Sequence, residues 1–367
     1  MIDQAKSLAG NSDIALIFAG LPLHYESEGI DRKHIDMPAS HNKLISEVAK
    51  VQNNTAVILT NGSAVAMPWV NEVNGIVESW LGGQAGAGGT VDALFGKVNP
   101  SGKLAETFPV RLEDTPAFFN FPGEEGDVLY GERMFVGYRY YDYKNIKPLF
   151  PFGYGLSYTT FDYSDINISS SSITDKDILT VSVKIKNTGD LKGKEVVQLY
   201  VSDPESRLIR PEKELKEFQK IELAPGEEKT VTFELDSRDF SYYDSIREMW
   251  IAESGDFKIL VGSSSRDIKL EETIELNSTQ KVPLAYDEYN FFREYWDHPE
   301  ARELLKELVP NWIKAFTPEG KTMDEAEFND FLIDHPMIKF PYISGGEVNA
   351  EQISEFVEKC SEFTFTP

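Results

Sequence analysis

Cysteine is almost absent. The 367 residues carry one, Cys360, close to the end of the sequence. A lone thiol builds neither a disulfide framework nor a cysteine metal centre, and such usage fits a reducing, cytoplasmic compartment. Long apolar runs are lacking too. The longest near the start, Ile14 to Leu21, falls well short of the ~20 residues that span a bilayer. It has no basic leader close before it and no small-residue cleavage site after it, so neither a membrane segment nor a signal peptide is expected. Positive charge is scarce: 36 Lys plus Arg face 61 acids, for a net charge of -25. That surface repels phosphate backbones and anionic membranes, which argues against nucleic-acid and membrane partners and suits a neutral substrate.

Recognisable cofactor motifs are missing as well. The histidines His24, His34, His41, His298 and His335 show neither His-Glu-x-x-His nor cysteine-paired spacing, so no metal is expected. The glycine run from Gly82 to Gly89 never forms Gly-x-Gly-x-x-Gly, and no acidic ribose partner follows it in a further strand. A tight turn is the simpler reading, and no nucleotide or other cofactor is expected. No Gly-x-Ser-x-Gly elbow is present either.

What is there suffices for packed cores: 41% hydrophobic residues, 12% of the chain aromatic. The length accommodates two or three domains. Ile14 to Ala19 reads as a buried strand, Asp36-Met37-Pro38 as the cap and first turn of a helix running to about Val51, and Thr55 to Thr60 as a second strand. Met67-Pro68-Trp69 opens a short helical segment, Gly75 to Trp80 is a third strand, and Thr90 to Phe95 continues as a helix. This alternation predicts a parallel α/β sheet. Residues 108–161 are rich in Pro, Gly and aromatics without a period, and read as a connector lying against the domains it joins.

From Leu179 the period becomes two. Leu179, Val181, Val183 and Ile185, then Val197, Leu199 and Val201, then Val231, Phe233 and Leu235, then Phe257, Ile259 and Val261 alternate with polar residues between turn signals. Short alternating strands of this kind predict a β-sandwich, immunoglobulin-like or fibronectin type III-like. The tail turns helical, with Leu304, Leu305, Leu308, Val309 and Ile313 on one face, Phe328, Phe331 and Leu332 on a second helix, and Ile353, Phe356, Val357 and Cys360 on a third. Such faces dock within the chain or against another subunit, so a homo-oligomer is one expectation.

The chemistry concentrates in the loop after the first strand. Glu26, Glu28, Asp31 and Asp36 fall close together, offset by Arg32, Lys33, His24 and His34. Crowded, partly buried carboxylates raise one another's proton affinity, and a carboxyl group kept protonated can donate to a leaving oxygen. A solvated acidic loop shaped by an Asp31–Arg32 salt bridge explains the same residues.

The run Tyr25-Glu26-Ser27-Glu28-Gly29-Ile30-Asp31-Arg32 resembles the acid/base loop of family 3 glycoside hydrolases, the β-glucosidase family. The strings Gly96 to Leu104, Tyr130 to Tyr141 and Phe150 to Thr159 resemble the same family's sandwich domain and linker. The resemblance implies that Glu28, followed by Gly29, is the general acid/base, with Glu26 as the fallback and Asp31 and Arg32 as weak substrate-binding candidates. It implies an α/β + β fold: a partial three-layer α/β sandwich domain (1–118), an aromatic-rich connector (119–160), a fibronectin type III-like β-sandwich (161–276) and a C-terminal helical extension (277–367). It assigns the nucleophilic aspartate to a (β/α)8 barrel that this sequence does not contain, so a barrel domain from the same gene or a partner chain is expected. The implied substrate is a β-glucoside or short oligosaccharide, cleaved with retention at terminal non-reducing β-D-glucosyl residues, and the chain alone is expected to be inactive. The competing class is a non-catalytic carbohydrate-binding or interaction module built on the sandwich.

Overall fold

The structure, a computed structural model, describes residues 1–308, 334–344, 346 and 348–367. Its α/β part comprises α1 (Ile2–Gly10), β1 (Ala15–Gly20), α2 (Ala39–Ala49), β2 (Thr55–Thr60), β3 (Gly75–Glu78) and α3 (Gly86–Leu94), followed by α4 (Tyr138–Tyr143) in the connector. The β-rich part comprises β4 (Phe161–Ile168), β5 (Ser172–Thr174), β6 (Leu179–Asn187), β7 (Gly193–Ser202), β8 (Glu214–Leu223), β9 (Glu228–Leu235), β10 (Tyr242–Asp244), β11 (Met249–Ile251), β12 (Gly255–Ser264) and β13 (Asp267–Asn277). The chain divides into two compact units: Met1–Ser171 with Leu179–Glu234 and Asp256–Ile274, and Ser172–Ile178 with Leu235–Gly255 and Glu275–Pro367.

In the first unit, β1, β2 and β3 form a parallel sheet in that order, with Ala15 opposite Thr55 and Ala56 opposite Gly75. Parallel pairing sets the carboxyl ends of all three strands on one edge. The core beneath one face joins Ile17 and Ala19 of β1 to Ile45 and Val48 of α2, Val57 and Leu59 of β2, and Trp69. Burying each of the Ile, Val and Leu side chains contributes about 1.5–3 kcal/mol. The last residue of β1 must be glycine, because a Cβ at Gly20 would lie 2.1 Å from the Thr60 carbonyl oxygen.

Several local expectations are corrected. β1 is an edge strand covered on one face, with Phe18 of the other face 66% exposed. A short apolar run does not reveal how many of its faces are covered. α2 starts after Pro38 without a side-chain cap, so Asp36 does not cap it. Met67-Pro68-Trp69 makes turns rather than a helix, anchored by the Trp69 Nε1–H donating to Asn42 Oδ1 at 2.9 Å. The glycine run is no simple turn: it becomes a short 3-10 segment, Gly83–Ala85, and the first half of α3. Gly82 permits that approach, since a Cβ there would meet the Gly86 Cα at 2.7 Å. α1 was not anticipated at all.

The sandwich follows the period-two pattern. One sheet has the order β4-β6-β9, and β13-β12-β7-β8 run in order in the other. Every alternating apolar residue named above for these strands is buried. Two buried polar groups tie earlier segments to the sandwich within this unit. The Asp142 carboxylate of α4 accepts from Lys213 Nζ and Arg266 Nε, each at 2.8 Å. The Glu195 carboxylate of β7 takes Lys103 Nζ and the Tyr163 hydroxyl, each at 3.0 Å.

In the second unit, β5 pairs in parallel with the last residues of β13, β10 and β11 form an antiparallel ribbon, and Val282–Pro283 pairs with Thr364–Phe365. The helices Phe292–Asp297, Pro299–Leu308, Phe340–Ile343 and Ala350–Cys360 share a core that includes Phe292, Leu305, Phe340, Ile353, Phe356 and Cys360. Apolar faces of the tail therefore pack on one another. Of the tail residues singled out in the sequence, Val309, Ile313, Phe328, Phe331 and Leu332 lie outside the described residues.

Candidate active site

The loop from Leu21 to Asp36 leaves the carboxyl end of β1 and returns beside the loop that follows β2. Its start is a tight turn in which the Tyr25 and Glu26 N–H groups both donate to the Pro22 carbonyl, at 2.7 and 3.2 Å. The Tyr25 ring sits edge-on between His24 and His34, with centroids at 5.0 and 5.7 Å. At its end, the Ala66 N–H donates to the Ile35 carbonyl at 2.8 Å. Both ends are thereby held by backbone contacts, and the acidic residues ride between them.

Ser27-Glu28-Gly29-Ile30 is a four-residue turn, closed by the Ile30 N–H on the Ser27 carbonyl at 3.4 Å. Gly29 has φ +76°, the left-handed conformation that a type II turn places at its third residue and that glycine adopts without strain. Glu28 is exposed at the turn's second position, and its carboxylate has no partner among the described residues. Glu26 is placed otherwise. Its carboxylate accepts the Gly62 N–H at 2.8 Å and the Ser63 hydroxyl at 3.4 Å. Gly62 is needed there, because a Cβ would sit 2.9 Å from Glu26 Oε1.

The Asp31–Arg32 salt bridge does not form. Asp31 is exposed, whereas Arg32 turns inward and its Nη1 donates to Ser63 Oγ at 2.7 Å and to the Ala64 carbonyl at 3.2 Å. Arg32 does shape the loop, but by gripping the segment after β2. Burial pulls its guanidinium below the ordinary value, while Glu26 and Glu106 act in the opposite sense.

Two further acids stand near this loop, and sequence reasoning missed both. Glu78, the last residue of β3, is pushed up to about 7 by burial, against the Trp80 N–H at 3.0 Å and the Asn61 amide at 3.3 Å, with Glu106 and Glu26 adding to the rise. Burial also raises Glu106, which is hydrogen-bonded by the Ala64 N–H and faces Arg32. Neither carries a sequence signal, since each is distant from the loop along the chain: Glu78 becomes its neighbour through the parallel sheet, and Glu106 through the Ala64 N–H. Raised proton affinity is thus found on two acids outside the loop, where burial supplies the effect. Among the described residues no group of His, Cys, Asp and Glu is arranged to hold a metal, and no helix is long and apolar enough to cross a membrane.

An exposed carboxylate on a turn braced from both sides can serve as a proton donor or acceptor for a ligand presented from outside the loop. Known proteins resemble the chain in two stretches. Residues 1–158 match the glycosyl hydrolase family 3 C-terminal domain, and residues 195–265 match the fibronectin type III-like domain. The chain is 48% identical to the thermostable beta-glucosidase B of Acetivibrio thermocellus over 98% of its own length and 48% of that protein's. It is 40% identical to an exo-alpha-(1->6)-L-arabinopyranosidase of Bifidobacterium breve, over 96% of the chain and 46% of the relative. Among solved structures, a GH3 beta-glucosidase of Bifidobacterium adolescentis superposes with a TM-score of 0.76 at 41% identity, covering 83% of this chain and 45% of that one. The chain thus spans about half the length of the curated relatives it matches.

Proposed function

Because this chain belongs to glycosyl hydrolase family 3, we propose that it supplies the general acid/base of a retaining β-glucosidase, with Glu28 in that role. The observation that carries the reading is the division of labour between the two loop glutamates. Glu26 spends both carboxylate oxygens on Gly62 and Ser63, whereas Glu28 presents a free carboxyl group on a glycine turn.

A retaining mechanism needs a second carboxylate about 5–5.5 Å from the first. That nucleophile is the aspartate the family resemblance assigns to a barrel domain. In the first half of the reaction, the Glu28 carboxyl group gives its proton to the glycosidic oxygen as the bond to C1 breaks and the aspartate bonds to C1. In the second half, the Glu28 carboxylate takes a proton from water as the water oxygen attacks C1, releasing the sugar and both carboxyl groups. Arg32, through Ser63 and Ala64, fixes the loop that aims Glu28. The substrate class follows from the relatives named β-glucosidase; the arabinopyranosidase among them supports the view that this half does not by itself dictate the sugar.

The test compares two proteins on an aryl β-glucoside: the purified chain, and a chimera in which it replaces the matched half of the Acetivibrio thermocellus relative. The chain alone is expected to be silent and the chimera active. Hydrolysis by the chain alone, lost on Glu28→Gln, would overturn the need for a second carboxylate from elsewhere.

A further inference from the structure

β2 and β3 end side by side, with Leu59 opposite Glu78, and the residues just past β2 form a strap between Glu78 and the acid/base loop. Asn61, fully buried, heads that strap. Its side-chain amide donates to the Ser63 carbonyl at 3.0 Å and to Glu78 Oε2 at 3.3 Å, so one planar group joins strap and strand. Ser63 then reaches the loop. Its hydroxyl accepts from Arg32 Nη1 at 2.7 Å and donates to Glu26 Oε1 at 3.4 Å, while the Gly62 N–H donates to Glu26 Oε2 at 2.8 Å. Hydrogen bonds thus run from the end of β3 to Glu26 and Arg32, which lie on either side of Glu28 in the loop.

The far end of this chain of bonds is fixed. The Ser79 N–H donates to the Leu59 carbonyl at 2.9 Å, and Glu78 Oε1 accepts the Trp80 N–H at 3.0 Å. The charged groups that bear on Glu78 are Glu106 and Glu26, both of which raise its proton affinity, and Arg32 bears in turn on those two. With burial, they hold the Glu78 proton to about 7. An ionised carboxylate accepts from an amide more strongly than a neutral acid does, so ionisation tightens the bond to Asn61 even as it costs the fold stability. Bonds linked in series polarise one another, and a change at Glu78 is therefore felt at Ser63.

We propose that Glu78 is a positioning residue for the acid/base loop: through the Asn61 amide and Ser63 it sets Glu26 and Arg32, and with them the turn that carries Glu28. Its bearing on catalysis rests on the reading of Glu28 as the acid/base, whereas the coupling is tested without catalysis, so an inactive chimera would refute that reading and leave the titration to decide this one. The purified chain, with the heavy nitrogen isotope in its glycines and tryptophans, is titrated through neutral pH by NMR. The Trp80 amide, bonded to Glu78, should step at about 7, and the Gly29 amide in the turn should step with it. Glu78→Gln should abolish both steps, which separates them from any titration of His24 and His34 on the loop. Asn61→Ala should keep the Trp80 step and lose the Gly29 one. Ser63→Ala leaves Asn61 and the backbone carbonyl in place and should shrink the Gly29 step, so the coupling is decided even where Asn61→Ala does not fold. In the chimera, Glu78→Gln should slow cellobiose cleavage about three- to tenfold and that of a glucoside with an acidic phenol leaving group less. A Gly29 amide that lacks the step or keeps it in Glu78→Gln would overturn the positioning role. So would a Gly29 step that survives both Asn61→Ala and Ser63→Ala, or equal losses on the two substrates.

Discussion

The Gly62 backbone N–H donates to the Glu26 carboxylate at 2.8 Å, so the loop after β2 holds the first of the two loop glutamates and leaves the second free. One glutamate is thus structural and the other available. Glu26→Gln should lower unfolding free energy by about 1.5 kcal/mol, since a hydrogen bond to a charged acceptor is lost. Glu28→Gln, at an exposed position without partners among the described residues, should stay within about 0.5 kcal/mol of wild type. Urea titration of the two variants checks this, and a reversed order would undo the assignment of roles.

Glu78 makes stability depend on pH. The unfolded chain releases this proton near 4.5, whereas the folded chain holds it to about 7. The contribution is complete below pH 4.5, declines as pH rises through about 7, and is absent above. At about 1.4 kcal/mol per pH unit, reduced for residual solvent contact, the loss is about 2 kcal/mol. Relative to Glu78→Gln, the wild-type urea midpoint should fall as pH rises from acid to alkaline. A wild type that gains stability over Glu78→Gln as pH rises would contradict the burial argument.

How much of this was legible in the sequence depended on whether the signal was local. The period-two residues from Leu179 to Val261 all became buried sandwich positions, because alternation dictates which face of a strand is apolar. The parallel sheet was legible from alternating strands and helices. The exposed face of β1 was not: Phe18 and Ile17 are equally apolar, and only the packing partners distinguish them. Glu28 was singled out only because the run around it resembles the acid/base loop of a known family; the turn at Gly29 was not read from the sequence. The partners of Arg32 were not either, since Ser63 and Ala64 are brought to it by strand pairing rather than by proximity in sequence. Glu78 escaped for the same reason, and Glu106 because only its hydrogen bond with the Ala64 N–H brings it there.

Asp142 joins α4 to the sandwich through Lys213 and Arg266. Asp142→Asn leaves two cations facing a neutral amide in a buried setting, and should cost about 3 kcal/mol. Removing the exposed pair Lys258–Glu271 should change stability by no more than about 0.5 kcal/mol. Equal losses at the two sites would show that burial does not set the worth of these pairs.

Cys360 lies in the helical core with its thiol pushed up to about 12 by burial. The thiolate is the reactive form, so the native chain should resist an aromatic disulfide reagent at mildly alkaline pH and react fully once denatured. Prompt labelling of the native chain would mean that this helical cluster does not close over the sulfur.

The acid role of Glu28 is tested most directly by leaving-group dependence in the chimera with the Acetivibrio thermocellus relative. Rates are compared for Glu28→Gln and the parent on a glucoside with a highly acidic phenol as leaving group and on cellobiose, whose leaving alcohol needs a proton. The account predicts a drop of about 10²–10⁴-fold for glycosyl transfer from cellobiose and a far smaller one for the same step with the activated substrate. Equal losses on both substrates would contradict it.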